Sequence, residues 1–214
     1  MQSVALIDYG SGNLRSAEKA LRKAAESLPA AYEVVVTADP ETVARADRLM
    51  LPGVGAFGAC MAALTARDGL VEAMTEAAIG RGAPFLGICV GMQLLATRGL
   101  EFGETPGLDW IPGDVAHLPV VDRTAKAPHT GWNSLVDLAD HPLLAGLPEG
   151  AHMYFTHSYA FRPTDPAHVI AMTDHGGRFA SVVARDNIMG TQFHPEKSQT
   201  QGLRLLANFL EISA

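Results

Sequence analysis

The segment Gly87-Ile88-Cys89-Val90-Gly91 places a cysteine between two glycines, after an apolar run and before a stretch of helical composition. A nucleophile on a sharp strand-to-helix turn needs small neighbours, because the chain there is tightly folded and strained. Such a turn lifts the sulfur above the carboxyl edge of a sheet. The first N–H groups of the following helix then favour a thiolate and an oxyanion. A buried structural cysteine is the bland alternative, and for an arbitrary cysteine it is the better one. Here the two glycines tip the balance. Cys60, in Ala59-Cys60-Met61-Ala62-Ala63-Leu64, has no such turn and reads as core filling.

A cysteine nucleophile needs a base, and the base needs a group to orient it. Of eight histidines, His194 stands out in Gln192-Phe193-His194-Pro195-Glu196. Proline favours an extended backbone, in which residues i and i+2 share a side, so Glu196 is expected to reach the His194 ring. Alone, His-Pro-Glu reads as an ordinary exposed turn; beside the Cys89 turn it becomes a base with its orienting acid. His117, His141, His168 and His175 read as solvated or hydrogen-bonded. His129 stands alone, and His152 and His157 lie five apart. No Cys, His or carboxylate cluster has zinc spacing, so no metal and no cofactor are expected.

Two glycine-rich loops follow strands. Leu51-Pro52-Gly53-Val54-Gly55-Ala56-Phe57 lets backbone N–H groups approach a ligand, but it lacks the Lys-Ser/Thr of a P-loop. Asp8-Tyr9-Gly10-Ser11-Gly12-Asn13 lacks a complete G-x-G-x-x-G and reads as a strand-to-helix loop with Asn13 as a helix cap.

The elements that must position these residues alternate. Strands are expected at Val4–Ile7, Tyr32–Thr37, Arg48–Leu51 and Pro84–Ile88. Helices are expected at Leu14–Leu28, Glu41–Ala46, Ala56–Ile79 with a break near Asp68-Gly69, and Val90–Thr97. This alternation predicts an α/β fold: a mixed, mainly parallel sheet with helices on both faces. The second half predicts short strands at Asp114–Leu118, Ser134–Val136, Met153–His157, His168–Met172, Ala180–Arg185 and Ile188–Gln192, some antiparallel. A helix over Gln201–Glu211 closes the chain.

Composition sets the outer bounds. The 214 residues carry no repeat or linker, so one domain over 1–214 is expected. A net charge of −7 argues against a general affinity for nucleic acid or anionic membranes. Two cysteines argue against a disulfide scaffold. No apolar run is long enough to cross a membrane, and Asp8 interrupts an N-terminus that reads as a strand, so the cytoplasm is the expected compartment.

Taken together, Gly-Ile-Cys-Val-Gly-Met-Gln, Pro-Gly-Val-Gly and His-Pro-Glu resemble the class I, triad-type glutamine amidotransferases. Within that class the chain most resembles the HisH family, the glutaminase subunit of imidazole glycerol phosphate synthase. The narrower marks are Asp8-Tyr9-Gly10 with Gly12-Asn13-Leu14, Pro128-His129-Thr130-Gly131-Trp132-Asn133, Tyr154-Phe155-Thr156-His157-Ser158-Tyr159, and His194-Pro195-Glu196-Lys197-Ser198. They run through nearly the whole chain in the family's order.

The resemblance implies a three-layer, flavodoxin-like domain and a set of roles. Cys89 would attack the glutamine amide, His194 would carry the proton and Glu196 would orient His194. Gly53, Val54, Gly55 and the N–H of Val90 would form an oxyanion hole that needs a peptide flip. Gln93, Glu101, His157, Ser158 and Tyr159 would line the glutamine pocket. Asn13, Trp132 and Lys197 would face a cyclase partner, which would use the ammonia to make imidazole glycerol phosphate and the carboxamide ribonucleotide AICAR. Without the resemblance, Trp132 reads as core and Lys197 as a solvated lysine. Val90 stands where the family more often has Leu, and Thr130 where it has Met. A glutaminase of the anthranilate synthase type, a PfpI-type cysteine hydrolase and a non-catalytic module stay open as alternatives.

Overall fold

The computed structural model describes residues 1–119 and 126–213. The first half reads β1 (Gln2–Ile7), α1 (Leu14–Ala25), β2 (Tyr32–Thr37), α2 (Pro40–Arg45), β3 (Arg48–Gly53), α3 (Phe57–Thr65), α4 (Leu70–Thr75), β4 (Phe85–Cys89) and α5 (Val90–Gln93). The second half adds β5 (Arg98–Gly99), β6 (Thr105–Pro106), β7 (Gly113–His117), β8 (His129–Ser134), β9 (His152–His157), β10 (Tyr159–Pro163), β11 (Val169–Asp174), β12 (Arg178–Arg185), β13 (Ile188–Thr191) and α6 (Gln199–Glu211).

The main sheet has the order β11-β12-β13-β4-β3-β1-β2. Its five strands from β13 to β2 are parallel, while β12 and β11 turn antiparallel at the edge. Every residue of β3 and β4 is buried, as a parallel sheet covered on both faces requires. Helix α1 packs on α6, and α2 packs on α4. A second sheet runs β10-β7-β5-β6, and β8 pairs with β9 as a separate antiparallel ribbon.

Local chemistry explains the elements and the departures from expectation. Ala17, Ala20, Leu21 and Ala24 form the buried face of α1, and Arg22 and Lys23 complement the dipole at its end. The helix stops at Ala25, short of Leu28, and Asn13 occupies the cap position without a side-chain cap bond. The expected break falls at Gly69, with φ +74. After α4 the chain continues as a wider π turn over Glu76–Gly80.

Helix α5 ends at Gln93 instead of reaching Thr97, because the 107–113 segment competes for its backbone. Leu108 N–H donates to Leu94 O at 2.8 Å, Trp110 N–H donates to Leu95 O at 2.9 Å, and Thr97 N–H donates to Gly113 O at 2.9 Å. Strand β3 runs on through Pro52. β1 pairs only with Arg48–Met50, so one side of β3 is free of a ladder where the proline stands. The strand expected at Ser134–Val136 lies earlier, as β8, and Val136 keeps only an isolated bridge to Met172. Strand β10 has no counterpart in the sequence reading. It is an edge strand ending on Pro163, paired with β7 and lacking a clean alternation. Among the described residues no helix is long and apolar enough to cross a membrane.

Candidate active site

Cys89 ends β4 with φ 56 and ψ −110, a conformation that costs a non-glycine residue free energy. The glycines make the turn possible by close approach. A Cβ on Gly91 would collide with Leu51 O, and one on Gly87 would collide with the Gly91 carbonyl. Sheet register decides what surrounds the sulfur. On one side Gly53 of β3 lies opposite Cys89. On the other, Thr191 of β13 lies opposite Ile88, which brings the chain after β13 alongside the nucleophile.

That chain carries His194 and Glu196. His194 is extended, with its N–H on Tyr154 O at 2.9 Å. Pro195–Lys197 then form a 3-10 turn, so the two side chains meet across a turn and not along the extended chain expected from sequence. The His194 Nδ1–H donates to Glu196 Oε1 at 2.8 Å, and both side chains are only 2% exposed. Burial pushes the imidazole pKa down. Hydrogen bonding and charge from Cys89 and Glu196 outweigh it, and the ring is raised to about 9. Among the described residues its other nitrogen, Nε2, is buried without a partner of conventional hydrogen-bond geometry, as is Glu196 Oε2.

Cys89 and His194 open on a cavity of about 340 Å³. Gln93, Glu101, His157, Ser158 and Tyr159 all line it, with Val54, Gly55 and Val90 at the sulfur's end. Pro128 and Thr156, which the sequence reading placed in family marks but gave no pocket role, line it too. The Glu101 carboxylate accepts the Phe57 N–H at 2.8 Å, so it also caps α3. Gln93 Nε2 donates to Tyr159 O and to Gln192 Oε1, each at 3.0 Å.

The Gly53-Val54-Gly55 loop, expected from the sequence to supply oxyanion donors, is tied back at Val54 in this conformation. Ser11 Oγ donates to Val54 O at 2.8 Å and stands 3.3 Å from the Val54 N–H, which points to it as donor. The buried Cys60 thiol also donates to Val54 O, at 3.3 Å. Both backbone groups of Val54 are therefore occupied away from the sulfur, while Val90 opens α5 with an N–H that has no partner inside the helix. The glycine-rich loop before α1 thus has a job that its sequence does not announce.

Three residues matter that sequence reasoning did not single out. Gln192 is fully buried, with Nε2 3.8 Å from Cys89 Sγ. Ser11 holds Val54. His129 does not stand alone: β8 and β9 pair it with His157, and His129 Nδ1 lies 3.1 Å from His157 Nε2. His157 Nδ1–H donates to Tyr159 O at 2.8 Å, and His175 stacks on His129 at 4.0 Å. Burial, with the neighbouring histidines, depresses His129 to about 3. Burial also depresses His157 to about 4, against its bond to Tyr159 O.

On β8, Trp132 is 49% exposed, not core. Its ring meets Tyr154 edge-on at 6.0 Å, and Lys197 Nζ sits 5.6 Å above the same Tyr154 ring. Asn13 is half-buried on the β1–α1 loop, and Thr130 is exposed on β8.

A thiol beside an imidazolium, facing a small cavity of mixed polar and apolar lining, suits attack on an amide and capture of the acyl group as a thioester. The chain belongs to the class-I glutamine amidotransferase family, whose model, Glutamine amidotransferase class-I, matches residues 5–212. The fold is shared with a crystal structure of a glutamine amidotransferase at TM-score 0.69 and 20% identity, covering 97% of each chain. A glutamine amidotransferase from Thermotoga maritima is similar at TM-score 0.63 and 16% identity, covering 98% of this chain and 96% of that one. Within the family the chain belongs with the HisH subunits. It is 61% identical over 211 residues to the imidazole glycerol phosphate synthase subunit HisH of Caulobacter vibrioides, covering 99% of each chain. It is 59% identical over 208 residues to that of Rhodospirillum rubrum, covering 97% of each.

Proposed function

We propose that this chain is a glutaminase that supplies ammonia to a cyclase subunit, the two forming the heterodimer imidazole glycerol phosphate synthase of histidine biosynthesis. The observation that carries the reading is the buried His194–Glu196 pair set beside the Cys89 sulfur. The Cys89 thiolate attacks the side-chain carbonyl carbon of glutamine. The protonated His194 gives its proton to the departing nitrogen, and ammonia leaves a γ-glutamyl thioester. His194 then takes a proton from water, hydroxide attacks the thioester, and glutamate departs as the thiolate re-forms.

The oxyanion needs N–H donors at the sulfur's end of the cavity. Val90 has one, and the Gly53-Val54-Gly55 loop supplies the other once the Val54 peptide turns away from Ser11. Ammonium is no nucleophile, so the product must travel to its acceptor by a dry path. The surface of Trp132 and Lys197, which meet on the Tyr154 ring, together with Asn13, is where we place the cyclase. One domain over 1–214, in the cytoplasm, suits this role.

The test is Cys89→Ser in the reconstituted synthase, assayed with glutamine and separately with ammonium salt. Loss with glutamine and retention with ammonium is the expected result. Unchanged glutamine-dependent turnover rules Cys89 out.

A further inference from the structure

We propose that Gln192 is a catalytic residue, whose side-chain N–H carries the negative charge of the Cys89 sulfur from the side opposite the substrate. The inference rests on Cys89 being the nucleophile. Gln192 is fully buried, follows Thr191 of β13, and does not line the glutamine cavity. It reaches the sulfur through the sheet, with Nε2 3.8 Å from Sγ.

Which end of this amide faces the sulfur is decided by the hydrogen bonds behind it. Tyr159 O can only accept, so the group of Gln93 that lies 3.0 Å from it is the amino group. The same amino group lies 3.0 Å from the Gln192 side chain, which must present its oxygen there. The Gln192 amino group is left for Cys89. Turning the amide over would set two donors against each other at Gln93 and two electron-rich atoms against each other at the sulfur.

The chain extends further in one sense. Tyr159 O also accepts the His157 Nδ1–H. His157 Nε2 therefore accepts from His129 Nδ1, and His129 Nε2 accepts from Asn133 Nδ2 at 3.2 Å. Every donor has one direction open to it, and Asn133 lies next to the exposed Trp132.

A buried N–H without a good acceptor is costly, and a neutral thiol is a poor acceptor. A thiolate is a good one, because the bond becomes charge-assisted. Gln192 therefore stabilises the ionised form of Cys89 selectively. The titratable groups around the sulfur are His194 across the cavity and the buried Tyr9 hydroxyl beyond Gly53. Neither can replace this bond: His194 supplies or removes the proton, and burial holds Tyr9 in its neutral form.

The experiment uses the full chain and iodoacetamide, with the adduct mapped to Cys89 by mass spectrometry. Gln192→Met removes the donor at similar volume. Gln192→Glu keeps the oxygen for Gln93 and sets an acceptor against the sulfur. At pH 7 alkylation of Q192M is expected to fall about tenfold, the equivalent of one pH unit of lost thiolate preference. Q192E should fall further. At pH 10, above the ordinary thiol pKa of about 8.5, both should recover toward the wild type, with the fold checked by near-ultraviolet circular dichroism. Wild-type rates at pH 7 in the variants overturn the inference, as does a deficit that persists at pH 10, which marks lost packing. If Q192M does not fold, Q192E is read by the same criteria. A wild-type Cys89 that reacts at pH 7 no faster than in the denatured chain overturns the nucleophile reading as well. A fast wild type with equally fast variants overturns this inference alone.

Discussion

His194 Nδ1 and Glu196 Oε1 lie 2.8 Å apart, with each side chain 2% exposed, and Glu196 Oε2 has no partner of its own among the described residues. The carboxylate is taken out of water for the sake of one imidazole. It fixes the proton on Nδ1, so that Nε2 is the nitrogen left to exchange protons.

Glu196→Gln keeps the volume and removes the charge. Glutaminase kcat is expected to fall by up to about 10⁴, the effect of the matching change in serine-protease triads, with KM for glutamine little altered. Steady-state kinetics of the reconstituted complex check this. A variant within tenfold of the wild type would mean that the pair is only structural.

The raised His194 sets the alkaline limit. Below pH 6.5 the ring is charged in both folded and unfolded chains, and the ion pair's stabilisation is fully present. It is lost as pH rises through the folded value of about 9. Urea midpoints should therefore drift down between pH 6.5 and 9, and Glu196→Gln should flatten that drift. As pH rises through about 9, kcat/KM should decline as the proton for the leaving ammonia disappears. An activity profile flat to pH 10.5 would contradict the assignment.

The paired histidines set the acid limit with the opposite sign. His129 and His157, at about 3 and about 4, stay neutral in the folded chain while the unfolded chain takes up protons below pH 6.5. Each withheld proton costs about 1.4 kcal/mol of stability per pH unit as pH falls below that point. His129→Phe should lower stability at neutral pH, by stranding His157 Nε2, yet reduce the slope between pH 6 and 4. Equal slopes for variant and wild type in urea titrations would refute this.

Ser11→Ala removes the hydroxyl that occupies both backbone groups of Val54. Two weak bonds, each worth about 1 kcal/mol, stand against the flip. Turnover without the cyclase should rise about fivefold or more, while turnover in the complex changes little. A fall in both, or no change in the partner-free rate, would show that Ser11 does not hold the loop back.

The sequence made the nucleophile's turn legible because collision fixes it: Gly87 and Gly91 leave room that no other residue would. The alternation of strands and helices up to β4 was legible too, since each element there follows its own period. What escaped was set by pairing between distant segments. Nothing near His129 in sequence points to His157, and only the antiparallel register of β8 and β9 joins them. Gln192 becomes a neighbour of Cys89 through the parallel register of β13 and β4. The helix expected to run to Thr97 yielded at Gln93 to hydrogen bonds from residues 107–113, which local propensity does not contain.

Strands β3, β4 and β13 end at one height, side by side, in the middle of a sheet buried on both faces. Cys89 thus ends a fully buried strand that is laddered on both sides, by β3 and by β13. Under the proposed function, only the peptide at Val54 has to turn. On that same proposal a docking cyclase has no core to repack, so the free energy of a few surface contacts is enough to start the enzyme.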